Sequence, residues 1–596
     1  MKSYNDRKSV PDEYKWDLTN FVKDEKDYQE KIKYIQENIK KIKNYVGCTH
    51  DAIKLCEYLK FDIELGSCLE DLDAYTYLIQ SEDLANDDAT SKRLNVSNLL
   101  TQYVYESSFF TPELLKLNKD EYENLFSYRG LAEYKKYLDD TYRYKEHSLS
   151  EEEEKIVSLL IENIPTYSNI QSTILNSCND YGTVSLSDGT EVTLTLTNYR
   201  RLMKTSNREK RKEIYLQFQS VVRKYAPIIA IALNDYFKDQ SSLSKIYNFE
   251  GSWERKLFKL DLSNNVFDAL TNTVEKHADY SIKYENLRSK VLEIKDLMPW
   301  DSSLDIAKSD KEYSIEDAKK ILMEALKPLG EDYLKHFEHI FTSRSVDYCQ
   351  YKGKQSGACT VSTFNNHDPK IYMSFNGEFL NVSTLAHEGG HHVNHQYICE
   401  NNIPLYSSNS SLTGEVASLT NELLLSYYMA GSKDKNEALV GISNAIDILD
   451  TNIFGAVIEG NIERKMYQKI ENGGALTAST LDDLVSKELL KFSDKDELKH
   501  EYQKNAWCLR SHYFMFYYLY SYAICASVAS YVAKNIIEGN KEVLDKYLNF
   551  LKTGSNVTVT DTYKILGIDL EDKSVYEDAM DFYNSLLELF MKVKES

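Results

Sequence analysis

Proline is scarce, with 8 residues in 596, and no repeat or low-complexity stretch divides the chain, so long disordered linkers are excluded. The 9 cysteines include no C-x-x-C pair; the closest two are Cys48 and Cys56. Neither a disulfide framework nor a thiolate zinc site is therefore expected, and a reducing cytoplasm is the expected compartment. Basic residues are in deficit, 71 Lys and Arg against 93 Asp and Glu for a formal charge of −22. Such a surface repels phosphate backbones and anionic lipid, which argues against nucleic-acid or membrane partners. The first residues, MKSYNDRKSVPDEYKWDLTN, contain no apolar core, so a secretory signal is not expected. Long uncharged runs are also lacking, except from Tyr513 to Ala533, 21 residues that meet the length criterion for a membrane span. Six tyrosines and three serines in that run would carry hydroxyls into hydrocarbon, so it is expected to be a buried helix of a soluble protein.

The chain is too long for a single compact core, and two or more subdomains are expected. Its composition, 42% hydrophobic and 28% charged, suits an ordered globular protein. Apolar residues recur every three or four positions amid Lys and Glu, as in YQEKIKYIQENIKKI, which predicts amphipathic helices from about residue 16 to 145. The 46 tyrosines mostly sit in such stretches, at helix edges. Ser148 or Ser150 can cap a further helix whose first turn carries Glu151 to Glu154. Two exceptions read as β structure. YGTVSLSDGTEVTLT alternates about Asp188-Gly189, a turn dipeptide, and predicts a hairpin. Residues 353–375, GKQSGACTVSTFNNHDPKIYMSF, predict a small sheet. Helices resume elsewhere, with breaks near Pro299, Pro328, Gly473-Gly474 and Gly554.

The segment NVSTLAHEGGHHVNHQYI carries the chemistry. A helix capped at Asn381 or Ser383 places His387 and His391 four residues apart on one face, where both imidazoles can meet one ion. Glu388 lies about 100° further round, beside the ion and not on it, where its carboxylate can take a proton from water. Ala386 and Gly389-Gly390 permit close packing of the helix, although glycine costs roughly 1 kcal/mol in a helix interior relative to alanine.

Catalytic zinc needs a third protein donor and one open position. The position six residues after His391 is Tyr397, which excludes the elongated three-histidine pattern. Glu400 lies nine residues on, roughly 13 Å along a continuing helix, and does not reach. Glu415, in the second helical pattern SSLTGEVASLTNELLLSYYMA, is the preferred third ligand. Glu422, two turns later on nearly the same face, either hydrogen-bonds a ligand histidine from behind or is a buried carboxylate satisfied locally. His395 can compete as a ligand but reads better as a packing or supporting residue, and His336 and His339 read as structural.

Four segments in order, YLDDTYRYKEHSLSEEEEKI, the stretch from QSGACTVST to HHVNHQY, GEVASLTNELLL and HYFMFYYLYSYA, give the chain a resemblance to oligoendopeptidase F, within the thimet oligopeptidase superfamily of zinc peptidases. The resemblance covers nearly the whole chain. It implies one zinc ion per chain on His387, His391 and Glu415, with Glu388 as general base. It further implies that His512 and a tyrosine on one helix stabilise the oxyanion, with Tyr518 and Tyr522 favoured over Tyr517 and Tyr520. Gly357, Ala358, Cys359 and Thr360 would lie on an edge strand that offers backbone hydrogen bonds to an extended peptide. The expected fold is a mainly α-helical, two-lobed peptidase with a small sheet beside the active-site helix and a deep cleft. The expected domains are a helical region at 1–112, an oligopeptidase F-type domain at 113–185 and a catalytic domain at 200–590. The expected function is endopeptidase cleavage of short unfolded oligopeptides. Its rivals are an exopeptidase on the same fold and a catalytically silent peptide-binding protein. No feature of the sequence specifies an oligomeric state.

Overall fold

The computed structural model describes residues 4–161, 163–186, 189–493 and 497–596. Helices dominate, and the chain divides into two compact units, each assembled from three separated segments. One comprises Met1–Ser150, Asp310–Tyr428 and Val532–Ile568; the other comprises Glu151–Ser309, Met429–Tyr531 and Asp569–Ser596. Strands β1 (Thr183–Ser185) and β2 (Glu191–Thr193) belong to the second unit, and β3 (Val346–Asp347), β4 (Cys359–Val361) and β5 (Lys370–Tyr372) to the first.

In the first unit the helix Ala52–Glu82 begins where the Asp51 carboxylate accepts from the N–H groups of Ile53 and Lys54. It packs with the helix Asp87–Ser107, which Asn86 caps in the same way. Their apolar faces bury Leu55, Tyr58, Leu72, Leu78 and Val96 in a core that reaches Tyr372 of β5. Each such side chain contributes about 1.5–3 kcal/mol, so the helical layer is a firm base for the sheet. The strand order is β3-β5-β4, with β3 parallel and β4 antiparallel to β5. Cys359 faces Tyr372 and Thr360 faces Ile371, which leaves β4 at the edge. A buried ammonium staples this sheet: Lys354 Nζ donates to Asp347 Oδ1 at 2.6 Å, to Asp347 O at 2.9 Å, and to Cys349 O and Met373 O at 2.8 Å each. Two helices follow, Phe379–Asn401 with the H-E-x-x-H residues and Gly414–Ala430 with Glu415.

The helix with the histidines starts earlier than its capping residues suggested. It begins at Phe379 after Glu378, with no side-chain cap. Gly377, at φ +94°, turns the chain first. Asn376 Oδ1 then accepts from Glu378 N, and Asn381 Oδ1 from Asn376 N. Asn381 is spent on the turn, and Ser383 lies inside the helix.

In the second unit β1 and β2 form the expected antiparallel hairpin, Val184 opposite Val192. Asp188 of its turn lies outside the described residues; Gly189 takes φ +84°. The 39-residue helix Arg208–Ile246, capped by Asn207, runs through this unit. It buries Ile214, Phe218, Val222, Leu233 and Phe237 with Tyr467 and Trp507. Among the described residues no helix is long and apolar enough to cross a membrane. The run from Tyr513 contributes the helix Leu519–Ile537, whose serines bond backward, Ser527 Oγ to Ala523 O and Ser530 Oγ to Ser527 O, both at 2.7 Å.

Candidate active site

His387 and His391 point to one side of their helix, and the neighbouring helix brings Glu415 to meet them. Glu415 Oε2 lies 3.4 Å from His387 Nε2 and 3.5 Å from His391 Nε2. Donors that each sit about 2.0–2.1 Å from one tetrahedral ion are about 3.3–3.5 Å apart, so the spacing suits zinc. Among the described residues these three form the only group of metal-donor side chains whose atoms lie within 4.8 Å of one another. The helices are held together by polar contacts as well as packing: Asn421 Nδ2 donates to Ala386 O at 3.1 Å, and Tyr333 OH donates to Asn421 Oδ1 at 2.8 Å.

The glycines make this approach possible. A Cβ on Gly390 would lie 2.7 Å from Ala417 O and from Ser418 Cα, so the second helix packs against bare backbone. A Cβ on Gly389 would strike the Phe337 ring of a third helix, Glu331–Thr342. Replacing Gly390 by Ala must push the Glu415 helix outward. Gly390→Ala is expected to lose at least about 2 kcal/mol of stability, as overpacked cores do, and to bind zinc more weakly. Denaturant unfolding and metal titration check this, and an unchanged midpoint would mean the helices do not pack so closely.

Glu422 stands against the far side of His387. Its Oε1 accepts from His387 Nδ1 at 2.7 Å, and its Oε2 accepts from Ser383 Oγ at 2.7 Å. With Nδ1 committed to Glu422, Nε2 is the His387 atom that faces His391 and Glu415. Burial disfavours the imidazolium of His387, but Glu422, aided by Glu415 and Glu388, outweighs burial and raises it to about 9. Burial likewise opposes ionisation of Glu415, yet His391, His387 and Ser418 hold it down to about 2. Three carboxylates thus surround two imidazoles, an arrangement that favours a cation.

Glu388 is buried and stands outside the donor group. Thr360 Oγ1 donates to its Oε2 at 2.6 Å, and to its backbone O at 3.0 Å. The strand that the sequence marked for backbone contacts therefore also positions the glutamate, a link that residue spacing did not signal. Gly357 precedes this strand at φ +93°.

The remaining histidines have other partners. His336 Nε2 pairs with Glu400 at 3.0 Å, and His339 and His392 both lie 3.4 Å from Asp368 Oδ1. His395 Nε2 donates to Thr363 O at 3.0 Å and lies 3.1 Å from Cys399 Sγ. Burial lowers the His395 pKa to about 4. Between that value and the unfolded 6.5 the unfolded chain binds more protons, so this residue's contribution to stability falls as pH drops through the window. A His395→Gln variant is less stable than wild type at pH 7.5, and the gap is expected to close by about 2 kcal/mol at pH 5. Paired unfolding curves check this; a constant gap would exclude a neutral buried ring.

His512, Tyr518 and Tyr522 cluster within the second unit. Tyr522 OH lies 3.5 Å from His512 Nε2, and the Tyr518 and Tyr522 rings are 5.3 Å apart. They do not share one helix, as the resemblance implied. His512 sits in the short turn Ser511–Phe514, and Tyr518 precedes the helix Leu519–Ile537 that carries Tyr522. The break falls at Phe516 and Tyr517, whose φ values are +35° and +55°. Tyr517 and Tyr520 are core residues, with hydroxyls committed to Ser252 at 3.1 Å and Asn461 at 2.8 Å. Burial, with Arg510 nearby, lowers the His512 pKa, favouring the neutral ring.

A helical chain in which two histidines and a glutamate converge beside a second glutamate outside their group is a metallopeptidase in class. The chain belongs to peptidase family M3, in its oligoendopeptidase F branch: the family pattern matches residues 201–582, and that of Oligopeptidase F matches 113–177. It is 26% identical to Oligopeptidase PepF of Bacillus subtilis (strain 168), over 99% of this chain and 89% of the relative. It is 25% identical to Group B oligopeptidase PepB of Streptococcus agalactiae serotype III, over 98% and 97%. The fold matches the crystal structure of oligoendopeptidase-F from Enterococcus faecium with a TM-score of 0.74 at 24% identity, covering 96% of this chain and 99% of that one. The chain is accordingly a peptidase that hydrolyses peptide bonds.

Proposed function

We propose that the protein is a zinc-dependent endopeptidase that cleaves internal bonds of short unfolded oligopeptides, with residues 1–112 as an amino-terminal helical region, 113–185 as an oligopeptidase F-type domain and 200–590 as catalytic domain. The observation that carries this reading is the convergence of His387 Nε2, His391 Nε2 and Glu415 Oε2, with Glu388 beside the group and outside it. Those three residues hold the metal, one ion per chain. When bound, zinc supplies Lewis acidity toward the scissile carbonyl and toward water.

The rest is the work of the chain. Glu422 keeps His387 in the tautomer whose Nε2 is free. Thr360 holds one oxygen of Glu388, and the other takes the proton of the attacking water and passes it to the leaving amine. The resemblance gives His512 and Tyr522 or Tyr518 the task of donating to the oxyanion, and the 3.5 Å contact between His512 and Tyr522 supports a shared one. The free edge of β4 suits pairing with an extended peptide from Gly357 to Thr360, a mode with little side-chain preference. Its relatives' names, oligopeptidases, agree with short substrates.

Incubating the zinc-loaded chain with a peptide blocked at both ends decides between readings. Internal cleavage is expected. Cleavage only of unblocked peptides would make the protein an exopeptidase, and no cleavage with stoichiometric zinc bound would make it a peptide-binding protein.

A further inference from the structure

Between the turn that carries His512 and the helix that carries Tyr522, two consecutive residues take the left-handed conformation, Phe516 and Tyr517. Side chains other than glycine avoid it, because Cβ crowds the following carbonyl oxygen. Six non-glycine residues with positive φ are described, and these two are the only adjacent pair and the only aromatic ones among them. Strain of this kind persists only where the surroundings over-determine it.

The surroundings here come from three helices. Tyr236 OH accepts from the N–H of Phe516 at 3.1 Å, Glu463 Oε1 accepts from the N–H of Tyr517 at 2.6 Å, and Lys256 Nζ donates to Phe516 O at 3.2 Å. Tyr236 lies on Arg208–Ile246, Lys256 on Ser252–Leu260 and Glu463 on Ala456–Glu471. All three are buried, Glu463 at 0% exposure and Lys256 at 7%. The two rings are seated separately: Tyr517 packs on Trp253 and Tyr467, and Phe516 lies under the Arg255 guanidinium, 4.3 Å from its carbon.

Burying a carboxylate and an ammonium is costly when an apolar residue could fill the same space. The cost is visible in both groups, since burial raises Glu463 to about 8 and lowers Lys256 to about 8. What these groups do that leucine could not is hydrogen-bond the strained backbone.

We infer that Glu463, Lys256 and Tyr236 are positioning residues that lock the Phe516–Tyr517 reversal and thereby set His512 against Tyr518 and Tyr522. The inference rests on the reading above that His512 and a tyrosine serve the oxyanion. An oxyanion donor helps only when it is already in place as charge develops, so loosening the reversal lowers kcat more than it raises KM.

The test uses the full zinc-loaded chain and an internally quenched, end-blocked peptide. His512→Ala is the benchmark, with an expected fall in kcat of about 100-fold. Glu463→Ala removes the acceptor for Tyr517 N–H and is expected to lower kcat about tenfold with KM changed less than about twofold. Glu463→Gln keeps an acceptor oxygen and stays within about threefold of wild-type kcat. Adding Glu463→Ala to His512→Ala costs less than it does in the wild type, because part of its effect acts through His512; a merely structural defect would multiply the two losses. Hydrogen exchange at the amides of Phe516 and Tyr517 quickens by about tenfold or more in Glu463→Ala. If that variant does not fold, Lys256→Met, which removes the donor to Phe516 O, takes the same measurements. Wild-type kcat or unchanged exchange in Glu463→Ala, or multiplied losses in the double variant, would overturn the positioning role while His512→Ala is impaired. An unimpaired His512→Ala would instead overturn the oxyanion reading, and the catalytic purpose of the lock with it.

Discussion

Glu388→Gln is expected to slow peptide hydrolysis by about 10²–10⁴-fold, the usual contribution of a positioned general base, while the chain keeps its full complement of zinc. The amide has nearly the shape of the carboxylate and can still accept the Thr360 Oγ1 hydrogen bond at its oxygen. It has no capacity to take a proton at neutral pH. Glu388 is not among the three converging donors, so metal content does not change. The measurement is kcat on a quenched peptide together with metal analysis of the same preparation. A variant that loses its zinc would place Glu388 among the ligands, and one as fast as wild type would remove it from the mechanism.

Glu415→Ala is expected to act the other way, through the metal. It deletes one of three donors, and with it the carboxylate that balances two imidazoles and any bound cation. Zinc affinity should fall by more than about 100-fold, beyond the 10–100-fold typical when only a supporting residue behind a ligand is lost. Glu422→Gln, which weakens the contact at His387 Nδ1, is the supporting case and should fall inside that range. Titration against a chromophoric zinc chelator measures both. Equal losses in the two variants would mean that Glu415 is not a direct ligand.

The parts of this site that could be read from the sequence are those carried by local periodicity. Two histidines four apart on a helix must share a face, and a glutamate one position on must stand beside them. The β-prone stretch before that helix, the hairpin about Asp188-Gly189 and the buried character of the run from Tyr513 were legible for the same reason. So was the family resemblance, since its four segments keep their order along the chain.

Other features depend on where distant segments meet, and spacing holds no record of that. Glu415 was the preferred ligand in its helical pattern, and Glu422 either a support behind a histidine or a carboxylate satisfied locally; the approach of two helices at Gly390 puts Glu415 against the imidazole Nε2 atoms and Glu422 on the far side of His387. Thr360 reaches Glu388 because of the register of β4 on β5, 28 residues upstream of the motif. The helix start at Phe379, in place of a cap at Asn381 or Ser383, follows from a turn at Gly377 that uses Asn381 itself. The run HYFMFYYLYSYA suggests one unbroken helix, but buried partners on three other helices hold Phe516 and Tyr517 in a conformation that no propensity favours.

The sequence alone thus determined the class of chemistry and the helix face that bears it, because helical geometry repeats every few residues. Only the tertiary structure decided what Glu422 pairs with, what steadies Glu388, and how the chain turns between His512 and Tyr522. Those outcomes depend on close approach between backbones and on hydrogen bonds made across long stretches of chain, and both exist only once the helices have packed.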